Sequence, residues 1–455
     1  MKVFGSSGTR GVANEELTPD FVLRVAKAAG TAWNADRVAI ARDTRATGEM
    51  LADAAVAGLT SVGVDVDRLG VVPTPGAQVY AESEGVPAMM ITASHNPPEY
   101  NGVKLIGTDG VELAVSDLER VEDILLTEKF EAASWDEVGH VTTVEDACDR
   151  YVDQLLDAVD TEKIADADLT VALDPGHGAG SLTSPEFFRR LGCRVVTVNA
   201  QPDGHFPGRD PEPVPENLED LGRLVRATGA DVGIAHDGDA DRAIFYDENG
   251  EYVEGDATLA ALAAAELGPG DTTVSAVNIS QRLVDVANET GATLELTPIG
   301  STNIITRIEE LQAKGEHVPV AGEGNGGIFF PDYRLTRDGA YVGARFLELV
   351  ADRPVSEIVA PYSGYHNVRR NVEYDSESER AAMLAAAEQR AEADDEADLD
   401  TKDGYRLDYG DAWVLARPSG TEPLVRIYAE AKDEDRAVSL VEAMHEALVA
   451  AKADA

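Results

Sequence analysis

The chain has 455 residues, of which 84 are acidic and 38 are lysine or arginine, giving a formal net charge of −46. Such a charge repels nucleic-acid phosphates and anionic membrane faces, so neither is an expected partner. Hydrophobic residues make up 44% of the chain, which is enough for buried cores and argues against disorder. We interpret the charge as a solvated acidic coat, typical of proteins from a salt-loaded cytoplasm where screening reduces self-repulsion.

The cellular location is predicted from two further features. Cys148 and Cys193 are too few for a disulfide framework, which favours a reducing cytosol. The N-terminus lacks the apolar segment of a signal peptide, and the alanine-rich stretch 257–267 is too short to span a bilayer. We therefore expect a cytoplasmic protein, and we expect it to be a monomer or a homodimer.

Short apolar runs alternate with amphipathic stretches, which is typical of repeated βα units around a parallel sheet. In chain order, strands are predicted at 38–41, 88–92, 169–173, 195–198, 232–235, 243–246 and 273–277. Helices are predicted at 48–61 and 257–267, and a glycine-rich turn is predicted at 322–327. The sequence up to about residue 366 is therefore predicted to be α/β.

The pattern changes in the last part of the chain. A polar helix running into an acidic loop is predicted at 380–399, then short strands at 404–407, 413–416 and 424–430, then a closing helix at 433–451. This alternation favours an antiparallel sheet with helices on one face. We place the domains at 1–150, 151–253, 254–366 and 367–455.

Residues 237–242 read Asp-Gly-Asp-Ala-Asp-Arg, with three carboxylates at alternating positions on a glycine-containing turn. Hard cations such as Mg²⁺ prefer oxygen ligands, which Asp237, Asp239 and Asp241 can supply. The later glycine and bidentate glutamate of an EF-hand are missing. An acidic surface turn is the alternative, but apolar strands on both sides favour a ligand loop at a sheet edge.

Residues 92–97 read Thr-Ala-Ser-His-Asn-Pro and follow a predicted strand, which places the Ser94 hydroxyl on an exposed turn. Such a hydroxyl can be a nucleophile in acyl or phosphoryl transfer, although the Gly-x-Ser-x-Gly pattern of hydrolases is absent. A polar loop or a helix N-cap serine is the alternative. Lys104, one of few lysines, can act as an acid or base or can neutralise a phosphate.

Two more glycine-containing turns suit a phosphosugar. Residues 417–423, Arg-Pro-Ser-Gly-Thr-Glu-Pro, combine a guanidinium, hydroxyls and consecutive N–H groups suited to a phosphate, and Arg426 can add a second guanidinium. Residues 322–327, Gly-Glu-Gly-Asn-Gly-Gly, expose Glu323 and Asn325, whose donors and acceptors suit sugar hydroxyls. A structural turn is the alternative for each.

Taken together and in this order, the four loops resemble those of the α-D-phosphohexomutase family, of an archaeal, halophilic type. The likeness extends from Phe-Gly-Ser-Ser-Gly-Thr-Arg-Gly at 4–11 to the loop at 417–423. It implies three related α/β domains with mixed sheets, a C-terminal α+β domain and an active site in the central cleft. It also implies interconversion of hexose 1-phosphates and 6-phosphates through a phosphoserine, with Mg²⁺ as cofactor and a hexose 1,6-bisphosphate as intermediate and activator.

The resemblance also implies a role for each site residue. Catalysis is expected from Ser94, the phosphorylated residue, and from His95, Lys104, Arg10 and Arg242. The expected metal ligands are Asp237, Asp239, Asp241 and, through a phosphate oxygen, Ser94. The expected substrate contacts are Glu323 and Asn325 on the sugar, and Arg417, Ser419, Gly420, Thr421 and Arg426 at the phosphate that is not reacting.

The prediction of the sugar rests on fewer residues than the prediction of the family. The loop at 417–423 and the Pro-Pro-Glu-Tyr-Asn-Gly stretch at 97–102 are most similar to archaeal and phosphoglucosamine-type members, which implies glucosamine phosphate, with mannose or glucose phosphate as alternatives. Many members have a histidine where this chain has Gly327, and some have a serine where it has Asn325.

Two other functions are alternatives to a mutase. A metal-dependent phosphatase would use the aspartates with water as acceptor, but it would not need the loop at 417–423. A non-catalytic sugar-phosphate-binding relative would be expected to lack Ser94 or one of the three aspartates, and all four are present.

Overall fold

The structure is a computed structural model that describes residues 3–5, 8–419, 422–453 and 455. The chain divides into two units, one of residues 1–258 and 325–359 and the other of residues 259–324 and 360–455. Within the described residues, no helix is both long enough and apolar enough to cross a membrane.

The first unit opens with a mixed sheet flanked by helices. Its elements are β1 (Thr9–Val12), α1 (Pro19–Trp33), β2 (Arg37–Arg42), α2 (Gly48–Ser61), β3 (Asp65–Val71), α3 (Thr74–Glu84), β4 (Ala88–Ile91), β5 (Tyr100–Ile106), α4 (Val115–Thr127) and β6 (Val141–Thr143). The strand order is β1-β5-β4-β2-β3-β6. Neighbours from β4 to β6 are parallel, whereas β5 is antiparallel to both β4 and β1.

Local sequence signals explain the first helix of this layer. The Thr18 hydroxyl caps α1 by accepting from the Phe21 N–H at 3.4 Å, and Pro19 occupies the first turn, where no N–H is needed. Val25 of α1, Leu59 of α2 and Ile40 of β2 belong to one core cluster and are at most 1% exposed. Burial of this apolar face fixes the helices against the sheet.

A second mixed sheet follows in the same unit. Its elements are α5 (Ala147–Asp157), α6 (Thr161–Asp166), β7 (Thr170–Asp174), α7 (Ser184–Arg190), β8 (Arg194–Thr197), α8 (Glu219–Thr228), β9 (Val232–Ala235), β10 (Ile244–Tyr246), β11 (Tyr252–Val253) and α9 (Gly255–Glu266), the last of which crosses into the second unit. The strand order is β11-β10-β9-β7-β8. The strands β9, β7 and β8 are parallel neighbours, and β10 is antiparallel to β9 and β11.

The next part of the chain is shared between the units. The second unit contains β12 (Thr272–Ala276), α10 (Gln281–Thr290), β13 (Thr293–Thr297), α11 (Ser301–Ala313) and β14 (Ala321–Gly322). The first unit then resumes with β15 (Ile328–Phe330), β16 (Arg334–Arg337), α12 (Gly339–Val350) and α13 (Val355–Val359). The pair β12–β13 is parallel, and the pair β15–β16 is antiparallel.

The C-terminal part of the second unit is an antiparallel sheet with helices packed on one face. Its elements are β17 (His366–Glu373), α14 (Glu377–Glu392), β18 (Asp398–Asp400), β19 (Tyr405–Asp408), β20 (Ala412–Pro418), β21 (Leu424–Ala431) and α15 (Glu434–Ala453). The strand order is β17-β21-β20-β19-β18, with all neighbours antiparallel. Met383, Met444 and Ile427 form one core between the helices and the sheet. The predicted α+β architecture of this region is confirmed.

The edges of this sheet differ from the sequence-based expectation. The segment 380–399 was predicted to be a polar helix running into an acidic loop. The helix α14 ends at Glu392, and β18 forms in the part that was expected to be a loop. The strand β17 was not predicted at all. Both are edge strands with mostly exposed, charged side chains, so they carry none of the apolar alternation from which a strand is predicted. Short 3₁₀ helices lie at Ala179–Leu182, Pro215–Asn217 and Ala360–Tyr362.

Candidate active site

The acidic loop between β9 and β10 folds into a cluster of carboxylates. Asp237, Asp239 and Asp241 are at most 1% exposed, and each offers an oxygen within 4.8 Å of the others. Ala240 has a positive φ of 57°, so the chain turns within the loop and brings the alternating side chains together. The burial excludes the alternative of an acidic surface turn.

The carboxylate cluster fits a hard divalent cation. Asp239 Oδ1 and Asp241 Oδ1 are buried and have no hydrogen-bond partner within the described part of the chain. A buried carboxylate oxygen without a partner is costly, and three carboxylates this close together repel one another unless cations lie among them. Oxygen-only donors of this kind suit Mg²⁺ or a similar ion.

The serine loop after β4 contacts this cluster directly. Ser94 Oγ donates to Asp237 Oδ2 at 2.7 Å, and Ser94 has a positive φ of 53°. A Cβ on Gly238 would lie 2.6 Å from the Ser94 carbonyl oxygen, so only glycine lets the two loops approach this closely. The Ser94 hydroxyl is therefore buried beside the acidic loop, and not exposed as the sequence suggested.

His95 and two arginines lie next to Ser94. Arg242 Nη2 donates to His95 Nδ1 at 2.9 Å, and Arg10 Nη1 donates to Asn96 Oδ1 at 3.0 Å. The Arg242 guanidinium, together with burial, lowers the pKa of His95 to about 2. His95 is thus neutral, and its ring proton is on Nε2, because Nδ1 accepts from Arg242.

Lys104 of β5 reaches the acidic cluster from the neighbouring sheet. Its Nζ donates to Asp239 Oδ2 at 3.2 Å and to Asp241 Oδ2 at 3.0 Å, and Glu112 Oε1 lies 3.5 Å away. Burial alone would lower the pKa of Lys104, but Asp239, Asp241 and Glu112 outweigh it and raise the pKa. Lys104 is therefore a persistent cation in this arrangement, which fits a charge-neutralising residue.

Two further residues contact the aspartates and were not identified from the sequence. The Thr74 hydroxyl donates to Asp239 Oδ2 at 2.6 Å, and Arg337 Nη2 donates to Asp241 Oδ2 at 2.6 Å. The only sequence signal for Arg337 is the charged pair Arg337-Asp338 directly before the glycine that opens α12.

The pKa values of Asp237 and Asp241 are shifted in opposite directions. Burial, reinforced by Asp241 and Asp239, raises the pKa of Asp237. Burial opposes ionisation of Asp241 as well, but Arg337 and Lys104 outweigh it and lower its pKa. The cations thus hold one carboxylate firmly ionised while the one that touches Ser94 is poised to gain a proton or a cation.

The predicted sugar loop is divided between the units, so its two polar residues are described separately. Glu323 is half-buried in the second unit, and Asn325 is exposed in the first. Asn325 Oδ1 accepts from the Gly327 N–H at 3.0 Å. A Cβ on Gly327 would lie 2.8 Å from Arg337 Cδ, so Arg337 occupies the space that a side chain at 327 would need.

The predicted phosphate loop follows β20 in the second unit. Arg417 Nη2 lies 3.1 Å from Asp403 Oδ2, and Arg417 faces Arg426 across the β20–β21 pair. The Glu422 N–H donates to Ser419 Oγ at 3.2 Å. The predictions for Gly420 and Thr421 lie outside the described residues.

Comparison with known proteins agrees with this fold. Models of the phosphoglucomutase/phosphomannomutase family match along the chain: alpha/beta/alpha domain I at residues 1–132, domain II at 149–250, domain III at 254–365 and the C-terminal domain at 369–447. A phosphoglucomutase/phosphomannomutase of Thermococcus kodakarensis is 42% identical, with 97% of each chain covered. A protein of Methanopyrus kandleri described as a probable phosphoglucosamine mutase is also 42% identical, with 96% of each chain covered.

A solved structure gives the same result. The phosphoglucomutase/phosphomannomutase family protein of Burkholderia thailandensis superposes with a TM-score of 0.85 at 28% identity, covering 99% of this chain and 98% of its own. The fold and site define a phosphohexomutase, an isomerase that acts as an intramolecular phosphotransferase. The chain belongs to the phosphoglucomutase/phosphomannomutase family, the α-D-phosphohexomutases.

Proposed function

We propose that the chain interconverts glucosamine 6-phosphate and glucosamine 1-phosphate through a phosphorylated Ser94 and a 1,6-bisphosphate intermediate. The observation that carries the chemistry is the 2.7 Å hydrogen bond from Ser94 Oγ to Asp237, within a cluster that fits a divalent cation. The choice of sugar is supported by archaeal relatives described as probable phosphoglucosamine mutases, at 42% and 41% identity.

The reaction consists of two phosphoryl transfers. In the first, the P–Oγ bond of phosphorylated Ser94 breaks, a bond forms between phosphorus and the free sugar hydroxyl oxygen, and the hydroxyl proton is transferred to Oγ. In the second, the other phosphate of the bisphosphate returns to Ser94, and the proton moves the opposite way. Mg²⁺, when bound by Asp237, Asp239 and Asp241, supplies positive charge that stabilises the transferring group.

The remaining side chains would neutralise and orient that group. Lys104 and Arg242 bring positive charge to the aspartate cluster, and Arg10 brings a further guanidinium beside the serine loop. The neutral His95 can donate from Nε2 to an oxygen of the phosphoryl group or move a proton there. Ser94 would be a ligand of the metal through its phosphate.

Other loops of the chain are assigned to the rest of the substrate. We assign the phosphate that is not reacting to Arg417, Ser419, Gly420, Thr421 and Arg426. Glu323 and Asn325 would contact the sugar hydroxyls. Because each phosphate takes this position in turn, the loop should recognise charge and not sugar identity. In the cell, we propose a cytoplasmic monomer or homodimer with Mg²⁺ and a hexose 1,6-bisphosphate as activator.

A substrate panel tests the proposal. Interconversion of the 1- and 6-phosphates of glucosamine, mannose and glucose is measured with Mg²⁺ and a trace of glucose 1,6-bisphosphate, and released inorganic phosphate is measured in parallel. We expect the highest kcat/KM for glucosamine phosphate. A higher value for mannose or glucose phosphate would overturn the sugar assignment, and phosphate release without isomerisation would favour a phosphatase.

A further inference from the structure

Three buried residues hold the serine loop, residues 94–97, through hydrogen bonds. We call these residues, Asp43, Arg45 and Thr92, the serine-loop frame. Each is at most 1% exposed. They come together because β2 and β4 are parallel neighbours in which Arg42 pairs with Ile91. Asp43 and Thr92, the next residue of each strand, therefore leave the sheet at the same edge.

One side of the frame holds the Ser94 amide. The Ser94 N–H donates to Thr92 Oγ1 at 2.9 Å. The Thr92 hydroxyl in turn donates to Asp43 Oδ2 at 2.7 Å. The threonine hydroxyl thus uses both its acceptor and its donor to connect the backbone of Ser94 to the carboxylate.

The other side of the frame holds the Ser94 carbonyl. Arg45 Nη2 donates to the carbonyl oxygens of Ser94 at 2.8 Å and Asn96 at 2.7 Å, and Nη1 donates to that of Pro97 at 2.6 Å. Arg45 Nε donates to Asp43 Oδ2 at 3.0 Å. The hydrogen bonds therefore form a closed ring from the N–H to the C=O of a single residue.

Ser94 needs such support because of its backbone conformation. A positive φ is unfavourable for a non-glycine residue, and relaxation of the backbone would redirect Oγ. The ring fixes both peptide groups of Ser94, and so it holds Oγ toward Asp237. Within the described residues, the side chains of Arg45 and Thr92 make no hydrogen bond to Asp237, Asp239 or Asp241.

The acidic loop at 237–242 is held by a similar pair of residues, which supports a positioning role for both pairs. Asp174 ends β7, the parallel neighbour of β9, and Arg209 Nε donates to its Oδ2 at 3.1 Å. Arg209 Nη2 donates to the carbonyl oxygen of His236, the residue before the first aspartate. Each of the two loops is therefore held by a buried arginine–aspartate pair at the carboxyl ends of parallel strands.

We propose that the serine-loop frame positions Ser94 for phosphoryl transfer, with Thr92 and Arg45 as positioning residues that act through the Ser94 backbone. This inference rests on the proposed role of Ser94 as the phosphorylated residue. A displacement of a reacting atom by about 1 Å can lower a rate by about 100-fold, so loss of one bond of the ring should affect kcat. It should leave KM nearly unchanged, because substrate binding is assigned to residues outside the frame.

The test compares Thr92→Val, which removes the hydroxyl at nearly constant volume, with Thr92→Ser, which keeps it. We expect kcat per folded molecule to fall about 10- to 100-fold in Thr92→Val with KM within about twofold, and Thr92→Ser to remain near the parent. Val25→Ala, in the core of the same sheet layer, is the control for loss of stability. It should lower the melting temperature without lowering kcat per folded molecule.

The same variants separate the frame from the proposed function. The phosphate on Ser94 is measured by mass spectrometry after incubation of each protein with glucose 1,6-bisphosphate. A parent that acquires no phosphate at Ser94 refutes the proposed function itself. If the parent does acquire phosphate at Ser94 and a folded Thr92→Val protein has the same kcat as the parent, only the positioning role of the frame is refuted. If Thr92→Val does not fold, the same criterion applies to Arg45→Lys, which keeps the charge but loses the fork of donors.

Discussion

Ser94 combines a left-handed backbone with a hydroxyl that donates to Asp237 at 2.7 Å. Its role was inferred from the resemblance of the four loops to a known family, because its immediate neighbours alone are equally compatible with a polar loop or a helix N-cap. The sequence did not predict its burial. That depends on Gly238 of a loop 144 positions later, and such contacts are not encoded in local pattern.

Replacement of Ser94 by alanine should abolish isomerisation, because no other group would carry the phosphoryl between the two transfers. We expect the melting temperature to stay close to that of the parent, since one hydroxyl is removed without a change of backbone. Ser83→Ala, at an exposed helical serine, is the matched control and should keep full activity. Retention of isomerase activity by a pure, folded Ser94→Ala protein would exclude the phosphoserine.

Asp338 is a buried residue whose ionisation should lower the stability of the fold. It caps α12 by accepting from the Tyr341 N–H at 3.0 Å and also accepts from the Tyr151 hydroxyl at 2.7 Å. Burial, only partly opposed by these bonds, raises the pKa of Asp338 from 3.8 to about 6. An acid with a raised pKa in the folded state contributes stability that is present below about pH 4 and lost as the pH rises through about 6.

Asp338→Asn keeps the acceptor oxygen and removes the ionisation. Relative to the parent, the variant should therefore gain stability between pH 4 and pH 8, by up to about 3 kcal/mol for a rise in pKa from 3.8 to about 6. Thermal unfolding of both proteins at several pH values measures this gain. Asp136→Asn makes the same change of charge at an exposed carboxylate and should show no such pH-dependent difference in stability from the parent. If the difference in unfolding free energy between the parent and Asp338→Asn does not change with pH, the raised pKa of Asp338 is contradicted.

At the scale of elements, several strands with continuous apolar runs were predicted, but the buried strand β5 and the edge strands β17 and β18 were not. The strands β2 and β9 and the helix α2 lie where their apolar patterns indicated. In such elements the apolar residues are the ones that become buried, so the pattern predicts the element directly. The edge strands β17 and β18 are stabilised by backbone pairing with β21 and β19, which the side-chain pattern does not record. The domain boundaries near 150, 253 and 366 remain predictions.

The turn after β20 should bind substrate and should contribute little to the chemical step. Arg417→Ala is expected to raise KM about 10- to 100-fold, as for loss of a charge-assisted contact to phosphate, with a smaller change in kcat. Steady-state kinetics with the preferred sugar phosphate measures both constants. Arg436→Ala, at an exposed arginine of the same unit that pairs with Asp411, should change neither. An unchanged KM in Arg417→Ala would remove this loop from the binding site.

At the scale of the whole molecule, the composition predicts a strongly acidic surface in contact with solvent. The formal charge of −46 reflects 84 acidic against 38 basic residues. Lysines and arginines are scarce, yet several of them lie around the buried aspartates, among them Lys104, Arg242 and Arg337. The sequence showed the excess of acid, but only the fold shows that cations are concentrated where an anionic substrate would react.

Repulsion within this acidic coat should make stability depend on salt. The Debye length falls from about 10 Å at 0.1 M to about 3 Å at 1 M ionic strength, so we expect the melting temperature to rise over this range. Potassium chloride and choline chloride at equal ionic strength should act alike if screening is the cause. A melting temperature that is independent of both salts would contradict the interpretation, and a response to potassium alone would indicate ion binding instead.

The most direct measurement is the fate of a labelled phosphate on Ser94. The protein is phosphorylated with labelled glucose 1,6-bisphosphate, mapped by mass spectrometry, and then mixed with Mg²⁺ and unlabelled glucosamine 6-phosphate. The account predicts that the label is on Ser94 and that it passes to the sugar at least as fast as steady-state turnover. A label on another residue, or a label on Ser94 that remains there while isomerisation proceeds, would contradict it.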